Sequence, residues 1–290
     1  MMEAIEYAKP NNIDEAVRCL SGAGGGARVM AGGTDLLVQL RGGHVRPRLI
    51  VDIKGIAELR RIDLTADGFR VGAAVAGAEL GAHAAFARAW PGVVEAFQLI
   101  GSTQIQGRAS LGGNLCNASP AADSVPALIA AGARCTVAGP AGTRSVAVEE
   151  ICTAPGRTSL APGEFVVDFL FPTPPARSAD AYLRFIPRTE MDIAVVGAAV
   201  SLTLDADGRC VTARVALGAV APRALLVPAA GAALVGTFVD DAALEKLAAA
   251  ARAACAPIDD KRGTIEFRTR VAGVLARRAA KIALERARGL

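Results

Sequence analysis

The sequence is poor in the residues from which proteins build metal centres and acid–base catalytic sites. It has two histidines, His44 and His83, which stand far apart in the chain without a supporting motif. Its six cysteines are scattered, and none forms a CxxC pair or another close pair. Zinc sites and iron–sulfur clusters need grouped cysteine or histidine ligands. We therefore expect no metal ligands and no catalytic residues on this chain, and cysteines that pack as small buried hydrophobes.

The sequence also shows no signal peptide, no membrane span and no strong excess of basic charge, which argues against secreted, membrane-spanning and nucleic-acid-binding proteins. The acidic N-terminus lacks the apolar segment of a signal peptide. The alanine-rich stretches are interrupted by Arg, Asp or Gly, so no apolar run reaches the roughly 18 residues of a membrane span. With 32 basic and 28 acidic residues, the charge is too even for a nucleic-acid-binding protein. These features predict a cytoplasmic protein without a transmembrane segment and without a nucleic-acid partner.

The length and the order of patterns predict two domains. A chain of 290 residues is long for one core, and a composition shift at Pro172–Ala181 marks a junction. Before it, a helix capped by Asn12 and short apolar runs form a small βαβ-like unit, and the stretch TADG then joins two strands of a hairpin. After it, two long strand-like runs flank the turn DADG, and the remainder has helical periodicity.

The final helix carries a cluster of arginines. On a helix such a cluster is usually solvated or faces a partner, and we favour this interpretation over a nucleic-acid site. Its members are Arg268, Arg270, Arg277, Arg278, Arg286 and Arg288.

Two glycine-rich turns are the strongest candidates for a ligand site. The first lies in VMAGGTDLLVQL and follows an apolar run, yet it matches neither GxGxxG nor GxxxxGK[ST]. The second, SLGGNLCNASPAAD, begins at Ser110 and ends at Asp123, whose carboxylate suits ribose hydroxyls. Neither turn contains Lys or Arg, so each would bind phosphate through backbone N–H groups. Each turn alone is a common structural loop, but together they could hold the two phosphates of a dinucleotide from opposite sides.

The order of three motifs resembles a known family. AGGTDLL near residue 31, SLGGNLCNASPAADSVPAL near residue 110 and PRTEMDIAVVGAAVSLTLDADGRC near residue 188 are similar to the FAD-binding medium subunit of molybdenum hydroxylases. That family includes the flavin domain of xanthine dehydrogenase and the medium subunit of carbon monoxide dehydrogenase. The C-terminal KRGTIEFRTRVAGVLARRAAKIAL also resembles the family's last helix, so the likeness covers nearly the whole chain.

This resemblance implies an α+β fold. It predicts an FAD-binding domain of the vanillyl-alcohol-oxidase (PCMH) type over residues 1–176, with subdomains at about 1–57 and 58–176. Residues 177–290 would form a C-terminal domain of a small antiparallel sheet with helices. FAD would lie extended between the two subdomains.

The resemblance also implies the cofactor contacts. The segment from Val29 to Leu36 would wrap the pyrophosphate and reach the flavin, and Ser110 to Asn114 would contact the pyrophosphate and adenosine. Asp123 would hold the ribose, and Ile100 and Val166 would lie near the adenine. Arg184 would take the place of a lysine that some members carry near the flavin. Ile193 would cover one face of the flavin. The predicted set is Val29, Met30, Ala31, Gly32, Gly33, Thr34, Asp35, Leu36, Ile100, Ser110, Leu111, Gly112, Gly113, Asn114, Asp123, Val166, Arg184 and Ile193.

The implied function is electron transfer. A large molybdopterin subunit would oxidise the substrate, a small subunit would carry two [2Fe–2S] clusters, and this chain would pass electrons through FAD to an external acceptor. The three chains would assemble as a dimer of heterotrimers. Two alternatives stay open at this point: a stand-alone FAD-dependent oxidoreductase of the same fold, and a non-catalytic nucleotide-binding subunit. The substrate and the acceptor, whether NAD, a quinone or oxygen, are not specified by the sequence.

Overall fold

A computed structural model describes residues 4–289 and contains three main sheets with eleven helices among the described residues. The strands are β1 (Glu6–Ala8), β2 (Ala27–Met30), β3 (Leu49–Asp52), β4 (Ile62–Thr65), β5 (Gly68–Gly72), β6 (Arg134–Gly139), β7 (Gly142–Ala147), β8 (Cys152–Ala154), β9 (Arg157–Thr158), β10 (Phe165–Pro172), β11 (Ser178–Phe185), β12 (Val196–Leu204), β13 (Cys210–Gly218) and β14 (Leu225–Leu226). The helices are α1 (Ile13–Gly22), α2 (Leu36–Arg41), α3 (Gly77–Ala82), α4 (Ala84–Ala89), α5 (Pro91–Gln98), α6 (Thr103–Gln106), α7 (Leu111–Cys116), α8 (Ser124–Ala130), α9 (Pro228–Ala232), α10 (Asp241–Ala253) and α11 (Ile265–Ala287).

The first sheet is small and parallel, in the order β1-β3-β2. Helix α1 begins where the sequence predicts, because the Asn12 side chain accepts a hydrogen bond from the backbone N–H of Glu15 at 2.8 Å. Since the strands are parallel, their carboxyl ends lie at the same edge of the sheet. The turn that follows β2 therefore opens at this edge.

The second sheet is antiparallel, in the order β4-β5-β10-β6-β7, and it carries the largest core. Strands β4 and β5 form the hairpin predicted at TADG. Helices α3 to α8 surround a cluster in which Phe86 packs edge-to-face against Phe69 and Phe171. The sequence predicts one helix over GAELGAHAAFARAW, whereas the chain forms α3 and α4 with a break at His83. The His83 Nδ1 caps α4 by accepting from the backbone N–H of Phe86 at 3.1 Å.

The third sheet, β11-β12-β13-β14, is also antiparallel, and α11 packs against it. Helix α10 packs against α11 and α9 and adds buried residues to the same core. Its two long strands, β12 and β13, flank the DADG turn as expected. One expectation for α11 is wrong: Arg268 is buried, with its guanidinium donating to Asp260 at 2.7 Å and to the Val195 carbonyl at 2.8 Å. These acceptors offset the cost of removing the charge from water.

Strand β11 joins the C-terminal part of the chain to the core of the second sheet. The Asp180 carboxylate accepts from the backbone N–H groups of Gly92 and Val93 at 2.9 and 3.2 Å, at the start of α5. Two residues on, Tyr182 is buried among the residues of the second core. Among the described residues, no helix is long and apolar enough to cross a membrane.

Candidate functional site

A cavity of about 560 Å³ separates the edge of the first sheet from the start of α7. Its walls come from both predicted glycine turns and from a segment between β9 and β10. The lining residues are Leu20, Gly25, Ala27, Arg28, Val29, Met30, Gly32, Gly33, Thr34, Asp35, Leu36, Gln39, Val45, Ile100, Ala109, Ser110, Gly113, Asn114, Cys116, Asn117, Gly156, Thr158, Leu160, Ala161, Pro162, Gly163 and Glu164. The cavity thus brings together two sequence segments that lie about eighty residues apart, as the sequence predicts.

The turn between β2 and α2 carries the open hydrogen-bond donors of this cavity. Gly33 has φ +78°, a left-handed conformation that favours glycine, and its carbonyl accepts from the backbone N–H of Leu37 at 3.0 Å. The N–H groups of residues 32–36 donate to no acceptor within residues 4–289. Five consecutive free donors at a helix start form a concave site for an anion. Such a set of donors could bind an anion without a basic side chain.

The second glycine segment differs from the expectation of an open turn, because it forms the first turn of α7. Ser110 caps this helix: its Oγ accepts from the Gly113 N–H at 3.1 Å, and its carbonyl accepts from Asn114 at 2.9 Å. The Gly112 N–H donates to the carbonyl of Ala73 at 3.2 Å. Most donors of the second segment are thus already engaged. The two segments are unequal, and the turn after β2 offers most of the free N–H groups.

The glycines of the two segments serve different purposes. A Cβ on Gly32 would lie 1.8 Å from the Arg108 carbonyl oxygen, and one on Gly112 would lie 2.7 Å from that of Ala73. These two glycines allow close approach of backbone to backbone. A Cβ on Gly113 would meet only the Ser110 Oγ, at 3.3 Å, and Gly113 lines the cavity. Gly113 is therefore the position at which a side chain would enter the cavity without a clash with backbone.

Few charged side chains line the cavity. The charged residues that line the cavity are Arg28, Asp35 and Glu164. Glu164 forms a bidentate pair with Arg144, at 2.8 Å for each bond. Partial burial raises the pKa of the Asp35 carboxyl. An anion in this cavity would rely on backbone dipoles more than on ion pairs.

Several predicted contacts lie outside the cavity wall. Asp123 is buried at the start of α8, where it accepts from the Tyr182 hydroxyl at 2.9 Å and from the Arg184 guanidinium at 2.8 Å. Burial raises the pKa of Asp123 to about 6, although Arg184 and Tyr182 act to lower it.

Five more of the predicted residues also lie outside the cavity wall. Val166 is buried in the second core, and Ile193 is exposed in the loop that follows β11. Ala31, Leu111 and Gly112 are buried behind the two glycine segments.

Other wall residues were not anticipated. Thr158 and residues 160–164 also line the cavity. Gln39 and Asn117 also line the cavity, and the Gln39 Nε2 donates to the Asn117 Oδ1 at 2.8 Å. Each follows a glycine motif by a few residues, but the sequence offers no local pattern that pairs positions 78 residues apart.

Comparisons with protein families match most of the chain. Residues 3–174 match the model described as the FAD binding domain in molybdopterin dehydrogenase. Residues 181–283 match the model described as the CO dehydrogenase flavoprotein C-terminal domain. The cavity lies within the first of these ranges.

Individual relatives show the same likeness. The carbon monoxide dehydrogenase medium chain of Afipia carboxidovorans is 35% identical over 285 residues, with 98% of each chain covered. The 6-hydroxypseudooxynicotine dehydrogenase complex subunit alpha of Paenarthrobacter nicotinovorans is 30% identical, with 98% of this chain and 96% of that one covered. A solved structure of reconstituted CO dehydrogenase from Oligotropha carboxidovorans matches with a TM-score of 0.94 at 34% identity, covering 99% of both chains.

Proposed function

The chain belongs to the family of FAD-binding medium subunits of molybdenum hydroxylases, and from that premise we propose that it is the electron-transfer subunit of such a complex. In this proposal the chain receives electrons from [2Fe–2S] clusters on a small partner subunit and passes them to an external acceptor. A large molybdopterin subunit oxidises the organic substrate, and the three chains form a dimer of heterotrimers. The individual residue contacts of FAD are predictions, whereas FAD as the cofactor follows from the family.

The observation that carries the proposal is the donor-rich turn between β2 and α2. The residues that carry its free N–H groups line a cavity, and Gly113, which lines the same cavity, has only the Ser110 Oγ within 4 Å of the place of a Cβ. The residues fit the pyrophosphate of FAD, because a diphosphate can accept several backbone hydrogen bonds at once. Bound FAD supplies the redox chemistry, while the protein binds and orients it. We assign the pyrophosphate contacts to residues 32–36 and to Gly113.

The relatives support the idea of partner chains. One is named a medium chain and another a subunit alpha of a dehydrogenase complex. Within residues 4–289, no three His, Cys, Asp or Glu side chains are grouped as metal ligands. Since these relatives are named as single chains of larger complexes, we place the iron–sulfur and molybdenum centres of the proposed complex on other chains.

Purification of the tagged chain from its native host tests this proposal. We expect a yellow complex that contains FAD, a small chain with iron–sulfur absorption and a large chain with molybdopterin. In the chemically reduced complex, the iron–sulfur clusters should reoxidise rapidly on addition of NAD, a quinone or oxygen. A complex reconstituted with Gly113→Val, and thus depleted of FAD, should reoxidise much more slowly.

Other outcomes separate the alternatives. A flavin-containing chain that purifies without partners would support a stand-alone oxidoreductase. A colourless chain with no FAD released on denaturation would support the non-catalytic subunit. Equal reoxidation rates with and without FAD would contradict the proposed route of the electrons.

A further inference from the structure

Helix α2 is a short element that stands between two glycine pairs beside the cavity. Gly32 and Gly33 precede it, and Gly42 and Gly43 follow it. Gly33 has φ +78° and Gly43 has φ +69°, so both take a conformation in which glycine is favoured. Gly32 is fixed by its close approach to the Arg108 carbonyl. Rotation of the helix would therefore begin at Gly33 and end at Gly43.

The packing of α2 is weak. All six residues of α2 belong to the described part of the chain, and none of them is buried. Leu37 and Val38 point outward, with 50% and 66% of their surface exposed. The opposite face, with Leu36 and Gln39 three residues apart, lines the cavity. A helix with so little buried apolar area gains little free energy from its position, so it can open locally at low cost.

One long-range side-chain bond connects α2 to the other side of the cavity. The Gln39 Nε2 donates to the Oδ1 of Asn117, the residue that caps the end of α7, at 2.8 Å. Inside α2 the turns are regular, and the N–H groups of Gly42 and His44 close its C-terminal end on the carbonyls of Val38 and Gln39, each at 2.9 Å. The helix can therefore move as one unit, held in place by the Gln39–Asn117 bond.

We propose that α2 is a hinged lid over the cofactor cavity and that the Gln39–Asn117 hydrogen bond holds it closed. Because the hinge is at Gly33, residues 34 and 35 would move together with α2, so the closed position of the lid also sets how the N–H groups of residues 34–36 meet the pyrophosphate. Gln39 and Asn117 are thus positioning residues that control the entry and release of FAD. The inference rests on the proposed placement of FAD in this cavity.

The rate at which FAD leaves the full chain tests the lid. In the variants Gln39→Ala and Asn117→Ala we expect FAD to dissociate about 3- to 10-fold faster, as fits the loss of one neutral hydrogen bond. The double variant should show no further increase, because each change removes the same bond. A pair of charges, Gln39→Lys with Asn117→Asp, should restore slow release. Gln104→Ala, an exposed glutamine of α6 outside the cavity wall, is the matched control.

Hydrogen exchange provides a readout that a purely structural role would not produce. In Gln39→Ala, the amides of residues 37–42 should exchange faster, while those of β10 in the second core should remain as in the wild type. Bound FAD should slow exchange in residues 33–41 of the wild type. If amide hydrogen exchange and FAD release are both unchanged in the two single variants, the proposal that α2 is a lid is wrong.

The failure of the lid and the failure of the site can be told apart. If Gln39→Ala has no effect on FAD release but Gly113→Val weakens FAD binding, the lid is wrong and the cofactor placement survives. If neither variant changes FAD binding, the placement of FAD in this cavity is wrong and the lid fails with it.

Discussion

Alanine at Gly32 should reduce the stability of the chain, whereas alanine at Gly113 should reduce its affinity for FAD. At Gly32 the new Cβ would lie 1.8 Å from the Arg108 carbonyl oxygen and 2.5 Å from its carbonyl carbon. Backbone atoms cannot rotate away as a side chain can, so the chain around Arg108 must shift. Overpacking of this kind costs about 1–3 kcal/mol. Gly32→Ala should therefore lower the free energy of unfolding even without FAD.

At Gly113 the new methyl group meets only the Ser110 hydroxyl, at 3.3 Å, which can adjust by rotation. Alanine is a better helix former than glycine by up to about 1 kcal/mol, so the FAD-free chain should be as stable as the wild type or more stable. The methyl group projects into the cavity, however. If it costs about 1–3 kcal/mol against the bound cofactor, the Kd for FAD rises about 5- to 150-fold.

Two measurements on the same samples check both variants. Urea unfolding of the FAD-free protein gives the stability, and quenching of FAD fluorescence on titration gives the Kd. The expected pattern is reduced stability for Gly32→Ala, and normal stability with weakened FAD binding for Gly113→Ala. The reasoning would be refuted by a Gly32→Ala protein of wild-type stability, or by a Gly113→Ala protein with the wild-type Kd.

Three further predictions concern buried polar contacts. Ser110→Ala removes the cap of α7 and should lower the unfolding free energy by about 1 kcal/mol in urea titrations, and a wild-type midpoint would contradict the capping role. Tyr182→Phe leaves one Asp123 oxygen without its donor, so we expect a loss of about 1–3 kcal/mol in the same assay; no loss would show that this bond is not needed. Burial is the main cause that raises the pKa of Asp180 to about 7, so the folded state holds this proton more tightly than the unfolded state does. The resulting stability is complete below about pH 4 and is lost as the pH rises towards 7. Asp180→Asn should therefore flatten the dependence of stability on pH between about 4 and 7, and an unchanged slope in that range would refute the assignment.

Local signals made much of the fold predictable. The cap at Asn12 and the turns TADG and DADG act within a few residues, and the structure has the expected helix and hairpins there. The break at His83 was missed because an imidazole that accepts from a backbone N–H is a rare cap without a sequence signature. The two glycines at the start of α7 favour an open turn, since glycine disfavours helices. Ser110 in front of them is nevertheless a cap signal that points to the helix the structure has.

The site was predictable as a pair of segments but not in its details. The motifs indicated which stretches meet at the cavity, whereas the separate roles of Gly32 and Gly113 depend on which backbone lies opposite each one. The Gln39–Asn117 bond joins residues that no local pattern relates. The burial of Arg268 likewise depends on acceptors from Val195 and Asp260, which the helical pattern of α11 does not reveal.

A crystal structure of the full chain with FAD is the most direct test of the central claim. We predict that the pyrophosphate oxygens lie about 2.7–3.2 Å from several backbone nitrogens of residues 32–36, as charge-assisted hydrogen bonds require. The pyrophosphate should also pass close to the Cα of Gly113. A pyrophosphate bound elsewhere, with the turn between β2 and α2 facing only solvent, would contradict the account.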